Sequence, residues 1–166
     1  MTEYSYISFE AKDIPVFVDY LWDLRAEFEE LTSIVPIDKD AVEQRLGEAV
    51  GNGTALCIAA VDEANRPVGA LILNTYSVWW TSSELLTNTF FFVSQKARRS
   101  AIARTFMGMA KELSEKTGKP LWFEVLSGPD TNFPVFERVF GQMGLKKIGT
   151  QFLYQPHDKT SNLHIR

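Results

Sequence analysis

The chain is poor in the residues that build disulfides and metal sites: 166 residues hold one cysteine and two histidines. A lone Cys57 excludes an internal disulfide, and its apolar setting, Thr54 to Val61, marks a buried strand residue and not a reactive thiol. His157 and His164 stand in a polar tail with no other ligand near them in sequence, so no metal is expected. Also missing is any hydrophobic run near the roughly 18 residues that cross a bilayer. The start Met1-Thr-Glu-Tyr-Ser-Tyr6 lacks the basic and apolar regions of a secretory signal, so a cytoplasmic protein without a membrane partner is expected. Excess positive charge is absent too. The formal net charge is −4 and the pI about 5.2, which disfavours a broad nucleic-acid footprint.

What is present belongs to a folded domain. Hydrophobic residues make up 45% of the chain and aromatics 13%, which places it among globular and not disordered sequences. Tyr4 to Phe9 alternates as a short strand. Ile14 to Leu31 carries Phe17, Leu21, Leu24 and Phe28 at helical spacing, with Asp13 as cap and Pro15 in the first turn. A shorter helix is predicted from Asp38 to Val50, stopping at Gly51-Asn-Gly53. Thr54 to Val61 and Pro67 to Tyr76 are apolar strands whose five-residue connection is too short for a crossover helix, so they form an antiparallel hairpin.

The most informative stretch is Leu85 to Leu113, where an apolar strand passes through a basic turn into an amphipathic helix. Ile102, Phe106, Met109 and Leu113 repeat at helical spacing, Ser100 is the expected N-cap, and Gly118 with Pro120 supplies the stop. A helix that opens after a strand end leaves unpaired N–H groups and the positive end of a dipole, so an anion can sit there. Lys96, Arg98, Arg99 and Arg104 concentrate charge around it, while Glu27, Glu29 and Glu30 form an acidic patch earlier. Leu121 to Leu126 follows as a strand parallel to Leu85 to Val93, because a helix intervenes. Ser127-Gly-Pro-Asp130 then turns into a helix that Gly144 ends. Lys147 to Tyr154 closes the sheet and residues 156–166 form a polar tail. The order β-α-α-β-β-β-α-β-α-β describes an α+β domain over residues 1–155, with a central mixed, mainly antiparallel sheet flanked by helices.

At this point the chain resembles a family. Val93 followed after four residues by Arg98-Arg-Ser-Ala-Ile-Ala103 is similar to motif A of the GNAT acyltransferases, Arg/Gln-x-x-Gly-x-Gly/Ala, with Ala101 in place of the first glycine. Asn132-Phe-Pro-Val-Phe-Glu-Arg-Val-Phe-Gly-Gln-Met-Gly-Leu145 resembles motif B, with Phe140 where tyrosine is typical. The strand order also resembles the GNAT fold. The Trp79-Trp80 pair, the Phe-Phe-Phe strand and the Arg-Arg-Ser-Ala turn resemble small GNAT-like proteins of bacteriophages.

The resemblance implies acetyl-CoA as cosubstrate and an amine acceptor on a small molecule or protein. It assigns the pantetheine amides to the backbone of Phe91, Phe92, Val93 and Ser94. The pyrophosphate falls to Arg98 and to the amides of Arg99, Ser100, Ala101, Ile102, Ala103 and Arg104, with Asn132 opening motif B. Candidates for the base are Glu84, at the outer end of the strand before motif A, and Glu124 in the partner strand. Tyr154 is the candidate acid, since Phe140 has no proton to give. Trp79 and Trp80 are expected to meet the core, the acceptor or a second copy of the chain in a homodimer. Three functions stay open: an N-acetyltransferase, a GNAT-fold module that binds CoA or a protein without turnover, and an unrelated structural α+β protein.

Overall fold

A computed structural model describes residues 3–32, 37–79, 81–124 and 133–147. The chain is organised in two compact units, Met1–Leu126 and Ser127–Arg166. In the first unit the elements run β1 (Ser5–Phe9), α1 (Ile14–Thr32), α2 (Lys39–Gly51), β2 (Ala55–Val61), β3 (Pro67–Ser77), β4 (Glu84–Val93), α3 (Ile102–Thr117) and β5 (Leu121–Trp122). Among the described residues one sheet has the order β1-β2-β3-β4-β5. Its first three pairings are antiparallel and β4 pairs with β5 in parallel. This is the mixed α+β architecture expected from the sequence.

The element ends have local causes. Asp38 caps α2 by accepting the Ala41 N–H at 3.1 Å, and Gly118 ends α3 in the left-handed conformation at φ 67°. The 62–66 turn is held by Asp62, whose carboxylate accepts the Ala64 and Arg66 N–H groups, each at 3.0 Å. Hydrogen bonds from the Arg66 N–H and side chain, with the ion pair they form, lower the Asp62 carboxyl from its ordinary value.

Each face of the sheet has its own core. Phe17, Val18, Leu21, Leu24 and Phe28 of α1 pack with Cys57, Ala59, Ala70, Ile72 and Phe92 on one side. Ile102, Phe106 and Ala110 of α3 pack with Ile58, Ala60, Val68, Leu71 and Leu73 on the other. Strand alternation explains the division of the aromatic run in β4. Phe90 and Phe92 meet Phe28 at centroid distances of 5.1 and 5.4 Å, whereas Phe91 meets Phe123 at 5.0 Å. Burial pushes the Cys57 thiol up to about 12, in keeping with a core residue.

The second unit has α4 (Phe133–Gln142), in which the Phe136 and Phe140 rings meet at 5.7 Å, tilted by 52°, followed by a turn with Gly144 at φ 83°. The expected final strand, Lys147 to Tyr154, lies almost wholly outside the described residues, as do 125–132 and the polar tail. No helix among the described residues is long and apolar enough to cross a membrane.

Candidate functional site

The strand-to-helix turn is less direct than the sequence suggests. A 3-10 turn, Gln95–Ala97, intervenes between β4 and α3. The first α3 hydrogen bond runs from Thr105 N–H to the Ala101 carbonyl at 2.9 Å, so Ala101 and not Ser100 is the N-cap. Alanine has no side-chain acceptor to offer there. Ser100 still caps from one position earlier, because its Oγ accepts the Ile102 N–H at 3.2 Å. The amides of Ala103 and Arg104 precede the first intrahelical bond and have no intrahelical carbonyl. They stand at the positive end of the α3 dipole, with exposed Arg98, Arg99 and Arg104 around them.

The β4 edge beside this turn has a defined polarity. Ser94 N–H donates to the Val68 carbonyl at 2.9 Å, so Ser94 and, two residues back, Phe92 present their backbone groups to β3. Phe91 and Val93 therefore present theirs to the opposite, outer edge. In agreement, Arg98 Nε reaches that side and donates to the Val93 carbonyl at 3.3 Å. Of the four residues expected to pair with pantetheine, Phe92 and Ser94 thus turn their backbones to β3, while Phe91 and Val93 turn theirs outward, the Val93 carbonyl accepting from Arg98. Ser94 is fully buried and its Oγ has no hydrogen-bond partner among the described residues. Glu27 of α1 accepts the Gln95 N–H at 2.6 Å, tying the turn to the first helix. Nothing in the sequence pattern announced that contact.

Among the described residues the backbone ladder between β4 and β5 is short. It comprises Leu86 with Leu121 and Thr87 with Trp122. At the next position Asn88 replaces a backbone partner: its Nδ2 donates to the Glu124 carbonyl at 2.8 Å and its Oδ1 accepts the Glu124 N–H at 2.7 Å. On its other side β4 bulges at Thr89, since Ile72 faces Phe90 and Leu73 faces Asn88. A side chain inserted between two backbones needs more room than the usual ~4.8 Å strand spacing. Beside the bulge the Asn88 amide thus forms a wedge, standing where the backbone ladder would continue.

The two carboxylate candidates fall in different places. Glu84 sits at the far end of β4, ion-paired with Lys119 Nζ at 2.8 Å. It lies five positions from the Thr89 bulge, about 17 Å of strand, so the structure does not bring it to the wedge. Glu124 is at the wedge. Leu121 and Phe123 pack into the α3-side core, so Trp122, within β5, falls on the opposite face by alternation, the face that also carries Asn74 and Thr87. Tyr154, Asn132 and Trp80 lie outside the described residues, while Trp79 is 89% exposed. A shallow hollow of about 400 Å³ between the start of α1 and α2 is lined by Asp40, Glu43 and Glu48, the wrong sign for phosphate.

No protein-family profile matches the chain, and no curated protein matches it in sequence. Solved structures do match its fold. An aminoglycoside acetyltransferase from an uncultured soil metagenomic sample superposes with a TM-score of 0.68 at 14% identity, covering 92% of this chain and 96% of its own. A predicted acetyltransferase from Clostridium acetobutylicum, solved with acetyl-CoA, gives 0.68 at 12% identity, with coverages of 92% and 96%. A GCN5-related N-acetyltransferase from Ralstonia eutropha JMP134 gives 0.61 at 12% identity, covering 93% and 98%. The chain has the fold of the GNAT acetyltransferases.

Proposed function

We propose that the protein is an acyl-CoA-dependent N-acetyltransferase of the cytoplasm, with residues 1–155 acting as one domain, that moves an acetyl group from acetyl-CoA to an amine of a small molecule or protein. One observation carries this: the outward backbone edge of Phe91 and Val93 runs directly into a helix start whose spare amides are ringed by three arginines. An extended amide-bearing arm can add to such an edge as a strand does, and a diphosphate suits the helix start. These residues fit acetyl-CoA, which supplies the acyl thioester. The likeness to a fold solved with acetyl-CoA supports the same ligand.

The chain's own residues must hold the donor, accept the ammonium proton of the acceptor and help the thiolate leave. Arg98, Arg99 and Arg104, with the Ala103 and Arg104 amides, hold phosphate. Glu124 is better placed than Glu84 to take the proton, directly or through water, because it sits at the wedge. Tyr154 remains the proposed acid. A thiol of pKa about 8.5 leaves readily near neutrality, so the demand on any acid is modest. A binding module without turnover is the second possibility, motivated by Phe140 at the motif's tyrosine position and Ala101 at its glycine.

Acetyl-CoA is expected to raise the melting temperature, by about 2.7 kcal/mol of stabilisation at a hundred times its dissociation constant, with adenosine doing far less. No shift at millimolar acetyl-CoA would sink the assignment.

A further inference from the structure

Besides Ser94, Asn88 is the one buried polar side chain among the described residues, 8% exposed in β4 between Thr87 and Thr89. Burying a primary amide is unfavourable unless its groups are paired. Here both ends are paired with a single residue, the Glu124 carbonyl and the Glu124 N–H, at 2.8 and 2.7 Å. The amide imitates a backbone pair while standing one side-chain length further out. It does so one residue before the Thr89 bulge, at the position where the ladder between β4 and β5 gives way.

We infer that Asn88 is a positioning residue: its amide sets the opening between β4 and β5 and, through the Glu124 backbone, fixes where the Glu124 carboxylate stands. The inference rests on the acyl-CoA assignment above and deepens it. The bidentate bridge fixes distance and rotation together, because one hydrogen bond would leave the β5 segment free to pivot. An apolar residue at the same place would leave the Glu124 N–H and carbonyl to find each other's strand directly, closing the wedge, or to stay unpaired at a cost. Asn88 itself needs no contact with the ligand. Its effect is confined to the part of the ligand that enters between the strands, whereas the phosphates rest on the α3 turn.

That confinement supplies the test. Acetyl-CoA and adenosine 3′-phosphate 5′-diphosphate, which lacks the pantetheine arm, are titrated calorimetrically into wild type, Asn88→Ala and Asn88→Asp. Asn88→Asp preserves shape but loses the bond to the Glu124 carbonyl, and it carries the test if Asn88→Ala does not fold. The expected result is an acetyl-CoA dissociation constant raised about tenfold in the variants, with that of the nucleotide changed less than twofold. Equal weakening of both ligands means general damage and overturns the inference, as does unchanged acetyl-CoA affinity. Failure of wild type to bind either ligand overturns the acyl-CoA assignment itself, and this inference with it.

Discussion

Arg99 and Lys147 are both exposed cations, yet they stand in different company. Lys147 is ion-paired with Glu137 at 2.6 Å in the second unit, while Arg99 belongs to the turn with the spare α3 amides. Charge-assisted bonds to phosphate are worth roughly 1.5–3 kcal/mol, so Arg99→Glu is expected to weaken CoA binding at least tenfold and Lys147→Glu hardly at all. Equal losses in a binding titration would mean that general charge, and not this turn, attracts the ligand. Cys57 tests the core in the same way. Its folded pKa is raised to about 12 by burial, so its thiolate is scarce until the pH approaches that value. A thiol-reactive dye at pH 8 is expected to label it only after denaturant is added, and rapid labelling of the native protein would contradict its burial.

At the scale of elements, the docking of α3 on β3 depends on Gly69. A Cβ there would stand 3.0 Å from the Phe92 carbonyl oxygen, 3.2 Å from Phe106 and 3.3 Å from Ile102. Ile102 opens α3, so the strain reaches the same turn that offers its amides. Gly69→Ala is expected to cost about 1–3 kcal/mol and to weaken CoA binding. Gly108→Ala, on the same helix with open space around it, is expected to add roughly 0.5–1 kcal/mol. Paired thermal melts check both signs. The same elements show what periodicity can and cannot tell. Helical spacing located α1, α2 and α3 because Phe17, Leu46 and Phe106 are buried for that very reason, and the β2–β3 hairpin followed from a connection too short for anything else. The 3-10 turn at Gln95–Ala97 was not legible, since it arises from the path between two packed elements and has no repeating pattern. Asn88 was visible as an amide within β4, but its partner lies 36 residues away, and only the fold brings them together. The bulge at Thr89 likewise leaves no mark in the alternation of Phe90, Phe91 and Phe92.

For the whole molecule, Phe140 distinguishes binding alone from transfer. Its ring lies against Phe136 at 5.7 Å within α4, and the motif resemblance gives its position to a tyrosine in the family. If the enzyme draws its proton from another group, adding a phenol supplies an acid that the reaction does not need. Phe140→Tyr should then leave turnover within about tenfold of the parent, below the 100-fold or more that a general acid contributes. The good leaving-group character of a thiol argues for this outcome. If the chain is instead a binding module that has lost its acid, the same substitution is expected to create or strongly raise activity, because donor and base would already be in place. One oxygen added to a half-buried ring alters neither helix propensity nor the contact with Phe136 by much. Thiol release from acetyl-CoA is measured for both proteins with a mixed panel of small amines and peptides. Parent activity little changed by the tyrosine supports the transferase, and a silent parent awakened by it would make the protein a degenerate one.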